Sequence, residues 1–428
     1  MMDTQENAFL EALSRLYTEG KSSNPLQKIK DKAWDHFSLL KLPSKKSEAF
    51  RYVPLRRLFE RSYEIKKETA VLPKNFLDAG LPECHDSLIV LLNGKYSKEL
   101  SNVQGLPSRI VVSSLKEAAG SYSSFLTNHF AKTIKEEKDP FAALNAAFQD
   151  EGVFIYLPPK TVLEKPIQVL HLIDSFEKPL LTNPRLQVFA GASSKLNLIA
   201  SQKVLSGSHH FINYAADFAI EEDAILNYTQ LIEHETSDLF QTDATRAFLK
   251  KNSSFTAFAV TNGSKMIRTD YKMILAGENA EACLNGLWML EDSDEFHTHV
   301  LIDHQAPFCR SRQLFKGVLN DFSRSSFEGK ILVQRPAQKT DAFQLNSNLL
   351  LSDHVNAYSK PNLEIFADDV KASHGATFGQ LNEEQLFCLK SRGIAEREAK
   401  KLLVSGFCKE ITDLIQVPSI QNILGKKN

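Results

Sequence analysis

The chain has 428 residues, which is more than one hydrophobic core usually organises, so we expect two or three structural units. Its 43% hydrophobic and 24% charged residues are typical of a folded globular protein, and its net charge of −1 argues against nucleic acid or an anionic membrane as the main partner. The acidic N-terminus does not resemble a signal peptide, and no segment is apolar for as long as a membrane span requires, so we expect a cytoplasmic protein.

The first predicted unit, residues 1–150, is a helical domain that contains a small hairpin. Apolar residues recur at helical spacing over residues 7–17 and again around Trp34 and Phe37. The segment LPSKKSEAFRYVPL then predicts a loop, because the prolines near its two ends are incompatible with a continuous helix.

Two short elements complete this unit. Asn93-Gly94 lies between two strand-like runs, and this dipeptide is the strongest short signal of a β-hairpin. Asp139 and Pro140 are residue types that begin helices, and Gly152 is suited to follow a helix end. We therefore predict a hairpin near residue 93 and a short helix that begins at residue 140.

The second predicted unit, residues 151–380, is mainly β. Strand-like apolar runs follow one another from about residue 153 to 372, and turns rich in Gly, Asn, Asp and Ser separate them. Loosely repeated strand–turn units of this kind fit a large β-sandwich and a β-solenoid equally well, because their spacing is too irregular to decide between the two.

The third predicted unit, residues 381–428, is again a helical domain. Glu383 and Glu384 suit the first turn of a helix, and Gly393 suits its end. A second helix follows, with an apolar stripe formed by Ala399, Leu402, Leu403 and Phe407.

Several catalytic and binding motifs are absent from the sequence. It contains no phosphate-binding loop of the form G-x-x-x-x-G-K-[ST], no G-x-S-x-G and no H-E-x-x-H. The five cysteines are scattered and never form a C-x-x-C pair, so neither a disulfide framework nor a zinc knuckle is indicated. We therefore expect that this chain binds no nucleotide, and we identify no catalytic residue.

The segment EFHTHVLIDH is a candidate metal site. His297 and His299 are two residues apart, so on a strand both side chains face the same side, and we expect His304 within reach across a turn. Imidazole nitrogens so placed could ligate iron or zinc. Because no carboxylate or thiolate obviously converges on them, a structural role is the favoured interpretation.

His374 is the second candidate. It lies where the β unit gives way to the C-terminal helices, shortly after Asp368 and Asp369. An unpaired histidine is by itself more often a hydrogen-bonded structural residue. The two carboxylates are expected to end a strand and cap a turn rather than bind metal.

The segment at residues 329–394 resembles the C-terminal core of the SufB/SufD family of iron–sulfur cluster assembly proteins. The residues that carry this resemblance are QKTD at 338–341, Asn346, Asn348, LLLS at 349–352, SKP at 359–361, Glu364, DDV at 368–370, HGATFG at 374–379 and RGI at 392–394. The loop at residues 42–55 is similar to the family's N-terminal element. The resemblance implies a mainly β protein with a right-handed parallel β-helix core flanked by N- and C-terminal helical domains.

Within the family the chain resembles the SufD branch. SufB-type chains carry a cluster-building cysteine in the strand that corresponds to residues 352–361, where Val355 and its neighbours offer no thiol. SufB-type chains also have Glu-His-Glu-Ala-Thr where this chain has SHGAT at 373–377. One position departs from many SufD-type chains, which have a cysteine where this chain has Ala372.

The resemblance implies a non-catalytic scaffold subunit that pairs with a SufB-like paralogue and docks a SufC-type ATPase, with a homodimer as the alternative assembly of the isolated chain. It also implies that His374 lies at the interface with SufB and binds a transient iron–sulfur cluster, or its iron, together with SufB ligands. The C-terminal helices are predicted to dock the ATPase, because they carry more apolar side chains than a two-helix cap buries. The predicted contact residues are Leu386, Phe387, Arg392, Ile394, Leu402 and Phe407.

Two alternative functions stay open at the level of sequence. The first is an autonomous cluster scaffold of the SufB type, against which the missing thiol at Val355 argues. The second is a carbohydrate-active β-helix enzyme that uses surface carboxylates such as Asp341 and Asp369. This enzyme would require a secreted chain with aromatic platforms for sugar rings, and neither feature is evident.

Overall fold

The computed structural model describes residues 4–21, 26–44, 46–65, 79–122, 126, 134–149, 152–175, 178–232 and 238–427. Strands make up 44% of the structure and form a parallel β-solenoid of about 8 turns, with helices N-terminal and C-terminal to it. The predicted fold class, a parallel β-helix core flanked by helical regions, is therefore confirmed. Residues 150 and 151, where the first domain boundary is expected, lie outside the described residues.

The chain alternates between two sheets that form the walls of the solenoid. In spatial order the first sheet consists of β2 (Lys95–Asn102), β1 (Leu88–Leu92), β5 (Ile167–Asp174), β8 (Lys195–Ser206), β10 (Ile225–Ile232), β12 (Ser254–Thr261), β14 (Glu281–Leu290), β16 (Arg310–Leu319), β18 (Asp341–Leu350) and β20 (Lys371–Gly379). In the order of the chain the second sheet consists of β3 (Val111–Ser114), β4 (Val153–Leu157), β7 (Arg185–Ala190), β9 (Phe211–Ile220), β11 (Phe240–Leu249), β13 (Met266–Leu275), β15 (Glu295–His304), β17 (Arg324–Val333) and β19 (Asn356–Ile365), with β6 (Leu181–Thr182) beside β9.

Successive turns of the solenoid are stacked in parallel register. Because side chains alternate between the two faces of a strand, aligned residues form columns that point either into the solenoid or outward. Most inward columns are aliphatic or aromatic, and they pack across the interior, as Trp288 does against Phe296 of the opposite sheet. The hydrophobic core of the protein is therefore the interior of the solenoid.

The predicted hairpin is confirmed and belongs to the solenoid wall. β1 and β2 are antiparallel, and both turn residues have positive φ, 50° at Asn93 and 88° at Gly94. This geometry is the mirror-image turn that Asn-Gly favours. On its other edge β1 pairs in parallel with β5, so the hairpin extends the first sheet.

The N-terminal helices cover the outer face of the second sheet. They are α1 (Thr4–Glu19), α2 (Gln27–Leu40), α3 (Leu55–Phe59), α4 (Leu115–Ser121) and α5 (Pro140–Ala147), with a 3₁₀ turn at Glu48–Phe50. A further 3₁₀ turn, Pro82–Cys84, packs on the first sheet instead. Phe9 and Phe141 of these helices pack in one cluster with Phe211 and Phe240 of the sheet. Asp139 caps α5 as predicted: its Oδ1 accepts a hydrogen bond from the Phe141 amide at 2.8 Å.

The C-terminal helices α6 (Glu383–Ser391), α7 (Glu396–Thr412) and α8 (Pro418–Lys427) follow β20. Ile411 of α7 and Ile420 of α8 pack on Leu287 and Val318, which belong to the outer face of the first sheet. α6 differs from both, because none of its residues is buried. Among the residues that the structure describes, no helix is both long enough and apolar enough to cross a membrane.

Candidate functional site

The solenoid ends at β19 and β20, the last strands of the two sheets, and we term residues 356–379 the open end. Each of these strands pairs with one neighbour in the described part of the chain, so one edge of each leaves backbone N–H and C=O groups without a strand partner. Large apolar side chains are exposed there, at Ile365, Phe366 and Phe378. Solenoids normally cover such an end with a polar cap, so the open end is a candidate interface.

His374 lies in the middle of β20, and its side chain is exposed. It is aligned with Gln344 of β18, which is aligned with Gln313 of β16. Both glutamines are fully buried, and the Gln344 amide crosses the interior to Gly329 of the opposite sheet, where its Nε2 lies 3.5 Å from the carbonyl oxygen. His374 therefore belongs to an inward column and is exposed because no further turn covers it.

The residues around His374 leave its imidazole without a partner. No hydrogen bond or ion pair of His374 occurs within the described residues. Ala372, two residues earlier, faces the same side of the strand and packs beside Ala342 in a small apolar cluster. The cysteine that many SufD-type chains have at this position would therefore lie on the same side as the imidazole.

Asp368 and Asp369 lie in the turn between β19 and β20, and the contacts of Asp369 are those of a turn residue. The Asp369 carbonyl oxygen accepts a hydrogen bond from the Lys339 amide at 2.6 Å, and the Asp369 amide donates to Gln338 Oε1 at 3.0 Å. The Asp369 carboxylate forms an ion pair with the Lys339 ammonium. For Asp369 these contacts fit the expected role in a turn, and the expectation for Asp368 stays a prediction.

His297 and His299 face outward from β15, on the same side, as their spacing predicts. They line a pocket of about 100 Å³ between the sheet and the N-terminal loop. His297 Nδ1 lies 2.8 Å from Ser326 Oγ, and His299 Nδ1 lies 2.8 Å from Asp270 Oδ2. Both imidazoles are thus engaged in hydrogen bonds, which agrees with the structural interpretation.

Asp270 fixes the proton position on His299. Burial raises the pKa of Asp270, but Arg246, His299 and Arg268 outweigh this effect and hold the pKa well below its ordinary value. The ionised carboxylate can only accept hydrogen bonds, so the facing Nδ1 of His299 carries the proton.

The prediction that His304 lies across a turn from this histidine pair was wrong. His304 is the last residue of the same strand, β15, and it is fully buried. Its Nε2 lies 2.9 Å from Ser311 Oγ. The error arose because the strand is longer than its sequence pattern indicated.

Four residues join the N-terminal loop to the open end, and we term them the N-terminal clasp. They are Glu48 and Tyr52 of the loop and Tyr358 and Lys360 of β19. Tyr52 stacks on Tyr358 of β19, with ring centroids 4.1 Å apart and ring planes inclined by 14°. Lys360 of the same strand forms ion pairs with Glu48 of the loop and, at 3.6 Å, with Glu328 of β17. The loop that resembles the family's N-terminal element therefore contacts the last turn of the solenoid.

The part of the chain that the structure describes contains no cluster of metal ligands. Within the described ranges no three His, Cys, Asp or Glu side chains converge in a way that could hold a metal ion. The five cysteines are free thiols, and burial raises the pKa of Cys408 to about 11, which disfavours a thiolate. A metal ion at His374 would therefore need ligands from another molecule.

Comparison with known proteins identifies the family. Residues 171–407 match the family model described as "SUF system FeS cluster assembly, SufBD core domain", and residues 7–169 match "SufBD protein N-terminal region". The chain belongs to the SufBD family of iron–sulfur cluster assembly proteins.

Curated relatives are similar along most of the chain. An iron–sulfur cluster assembly SufBD family protein of Synechocystis is 30% identical over 434 aligned residues, which cover 98% of this chain and 94% of the relative. The iron–sulfur cluster assembly protein SufD of Escherichia coli is 27% identical over 379 residues, which cover 88% and 86%. A SufBD family protein of Mycobacterium leprae is 35% identical over 216 residues, about half of each chain.

The predicted docking residues of this SufBD protein lie on α6, on α7 and in the turn between them. Phe387 is 73% exposed and Leu402 is 54% exposed, whereas Leu386 and Ile394 are half-buried and Arg392 is exposed. Phe407 differs from the others, because Lys316 of β16 lies 4.6 Å from its ring centroid and donates a hydrogen bond to its carbonyl oxygen. It therefore contributes to the contact between α7 and the first sheet.

Sequence reasoning missed two groups of residues at the open end. Gln313 and Gln344 precede His374 in its column, and the N-terminal clasp joins residues that are about 300 positions apart. No local pattern marks either group, because only the register of the strands brings them together. The family's fixed-spacing residues, which include 359–361, indicated the region but not these contacts.

Proposed function

We propose that this chain is a non-catalytic scaffold subunit of the SUF iron–sulfur cluster assembly complex, in the manner of SufD. It pairs with a SufB-type paralogue through the open end and docks a SufC-type ATPase through its C-terminal helices. The observation that carries this proposal is His374, an imidazole in an inward column at an uncovered solenoid end, with no partner in the described residues. The similarity to SufD of Escherichia coli supports the choice of branch.

Pairing through the open end follows from the unpaired edges of β19 and β20. A second chain that adds strands to these edges satisfies their backbone N–H and C=O groups, and alternate side chains give the contact its specificity. The same contact covers the exposed side chains of Ile365, Phe366 and Phe378. Satisfaction of backbone groups and burial of apolar area both favour this association.

Iron or a nascent cluster is the cargo of the shared site. Neutral imidazole is a good ligand for ferrous iron, and thiolates hold iron–sulfur clusters. β18, β19 and β20 contain no cysteine, so the thiolate ligands come from the SufB-type chain. This division of ligands explains why a histidine without a local partner occupies the open end.

The C-terminal helices suit a docking role. α6 has no buried residue, and its Phe387 side chain is 73% exposed. Aromatic side chains of this kind are frequent anchors of protein interfaces. Because the sequence has no phosphate-binding loop, ATP hydrolysis belongs to the docked subunit.

The two carboxylates of the carbohydrate-enzyme alternative do not support it. A glycosidase needs one carboxyl group with a raised pKa to act as the acid. A hydrogen bond from Arg312 instead lowers the pKa of Asp341, and Asp369 is paired with Lys339. Asp341 therefore lacks the raised pKa that the acid of a glycosidase requires.

The test of the proposal is the iron and sulfide content of the complex that contains His374→Ala. We expect the variant to fold and to co-purify with both partners, because one imidazole contributes little to an interface of this size. We expect its iron and sulfide content to fall several-fold, because a metal ligand is lost. Introducing Ala372→Cys into this variant is expected to restore part of the content, since the thiol faces the same side.

The matched control is His354→Ala. His354 lies in the turn before β19, is exposed, and stacks on Phe322 with ring centroids 5.0 Å apart, so it lies outside the inward column. We expect this variant to keep the wild-type content. Wild-type iron and sulfide in His374→Ala would contradict the proposed role of this histidine.

A further inference from the structure

The last strand of the second sheet, β19, is weakly covered by the rest of the chain. None of its residues is buried, whereas most residues of β17, its neighbour in the sheet, are buried. Within the described residues β19 pairs along one edge only. In a solenoid each turn is stabilised mainly by its neighbours, so a terminal strand with one neighbour opens more easily than a central one. β19 therefore needs contacts from outside the sheet to stay ordered.

One segment of the N-terminal region runs along the solenoid, and we term this segment, residues 48–64, the strap. At one end, Glu48 and Tyr52 contact β19 through the N-terminal clasp. At the other end, the Glu64 carbonyl oxygen accepts a hydrogen bond from the Leu181 amide of β6 at 2.9 Å. β6 lies beside β9, which β11, β13, β15 and β17 separate from β19. The strap therefore joins the last turn of the solenoid to an early one.

A buried arginine anchors the strap close to the clasp. The guanidinium carbon of Arg268, on β13, lies 3.9 Å from the ring centroid of Phe50, and both side chains are buried. The same guanidinium forms ion pairs with Asp139 at 2.5 Å and with Asp270 at 2.9 Å. Because these two carboxylates fix the arginine, the ring of Phe50 rests on a cation whose position is set by the fold. This contact fixes the 3₁₀ turn Glu48–Phe50 relative to the sheet.

The outward side of β19 depends on the strap for its contacts. Tyr358 is aligned with Ser326 and Lys360 with Glu328, so both stand in outward columns of the second sheet. A serine offers little surface to an aromatic ring, and the ring on which Tyr358 stacks is that of Tyr52, at 4.1 Å. The strap thus supplies an aromatic contact that the neighbouring strand does not supply.

We propose that the strap is a conformational device that keeps β19 paired with β17, so that the free edge of β19 stays ordered and ready to accept a second chain. Without this support β19 opens locally, and a strand that has opened offers no regular edge for strand addition. Glu48 and Tyr52 are therefore positioning residues of the open end, and they act through Tyr358 and Lys360. The part of this inference that concerns a second chain rests on the proposed function.

The experiment measures amide hydrogen exchange of the isolated full-length chain, at a dilution at which sedimentation velocity shows a monomer. No second chain then protects β19. We expect Tyr52→Ala to speed the exchange of the β19 amides about 10-fold, because an aromatic pair contributes up to about one factor of ten to an opening equilibrium. Exchange in β13, in the middle of the same sheet, should keep its wild-type rate. Tyr52→Phe retains a stacking ring and should exchange like the wild type in both strands.

The matched control is Arg56→Ala. Arg56 belongs to the strap, but its side chain is 74% exposed and its ion pair, at 2.9 Å, is with Glu60 of the strap itself. It contributes nothing to the clasp. We expect wild-type exchange of the β19 amides in this variant.

Two results would overturn the inference. Wild-type exchange of β19 in Tyr52→Ala means that the strap does not hold the strand. Equal acceleration in β13 and β19 means that the substitution destabilises the whole protein and that the strap has no particular effect on β19. Co-purification of the wild type with the SufB-type chain is measured separately. Its failure would contradict only the proposed function, because the exchange of the isolated chain does not depend on a partner.

Discussion

Asp243 is a carboxyl group buried in the solenoid, on β11. Burial raises its pKa to about 7 and outweighs the hydrogen bonds of Gln230, Gln241 and Thr245 that lower it. In the unfolded chain an aspartate ionises near pH 4, so folding favours the protonated form. The stability that this preference contributes is complete below about pH 4 and is lost as the pH rises to about 7.

Asp243→Asn should therefore change how stability depends on pH. Asparagine keeps the shape and a carbonyl acceptor but has no charge. Between pH 5 and pH 8 the wild type is therefore expected to lose about 2 kcal/mol in free energy of unfolding that the variant keeps. Urea unfolding at the two pH values measures the difference. Asp353→Asn, at an exposed position, should show no such difference. Equal pH dependence of wild type and Asp243→Asn would contradict the prediction.

At the scale of residues, the sequence indicated the histidine but not its surroundings. His374 was identified from the short pattern HGATFG, which is continuous in the chain. Gln344 and Gln313, which stand behind it, come 30 and 61 residues earlier and are brought there by strand register. Register depends on the packing of the whole solenoid, and no local pattern encodes it.

The proposed docking of a SufC-type ATPase on the C-terminal helices can be tested at α6. Phe387→Glu places a charge on its exposed face, where burial by a partner would be costly, so we expect co-purification of the SufC-type ATPase to fall at least 10-fold. Pairing with the SufB-type chain should be unchanged, because α6 follows the open end and does not contribute its edges. Quantitative pull-down of the three subunits measures both contacts.

Leu39→Glu is the matched control for this prediction. Leu39 is a 78% exposed apolar residue on α2, so it tests whether any new surface charge weakens the complex. ATPase binding that is equal in Phe387→Glu and wild type would remove α6 from the interface. Truncation after Gln380 is a poorer test, because it also removes α7 and α8. Their loss would expose Leu287 and Val318 of the first sheet.

Elements defined by local chemistry were predicted well. The hairpin at Asn93 and the cap at Asp139 depend on turn and capping preferences that act over a few residues, and both are present. The N-terminal clasp depends on a stack between Tyr52 and Tyr358 and could not be predicted. Contacts between residues so far apart in the chain depend on the fold, and no local sequence pattern indicates them.

At the scale of the whole molecule, the solenoid was recognisable by resemblance and not by its repeat. Ser254 pairs with Glu281, 27 residues later, whereas Arg310 pairs with Asp341, 31 residues later. The turn residues also vary from one stacked turn to the next: one such left-handed position, at positive φ, is Asn252 and another is Phe308. A repeat with variable length and variable turn residues leaves no fixed period to detect.

The open end predicts how the isolated chain behaves without the proposed SufB-type partner. Unpaired edges at β19 and β20 and exposed Phe366 and Phe378 favour a contact with a second copy, so we expect a homodimer in solution. Replacing both phenylalanines with aspartate should shift the chain to a monomer in sedimentation velocity, because each protomer would then bury two charges in a symmetric contact. The Phe387→Glu variant should remain dimeric, since α6 lies outside this surface. A wild-type chain that stays monomeric at high concentration would contradict the predicted homodimer, and a dimer that survives both substitutions would place self-association on another face.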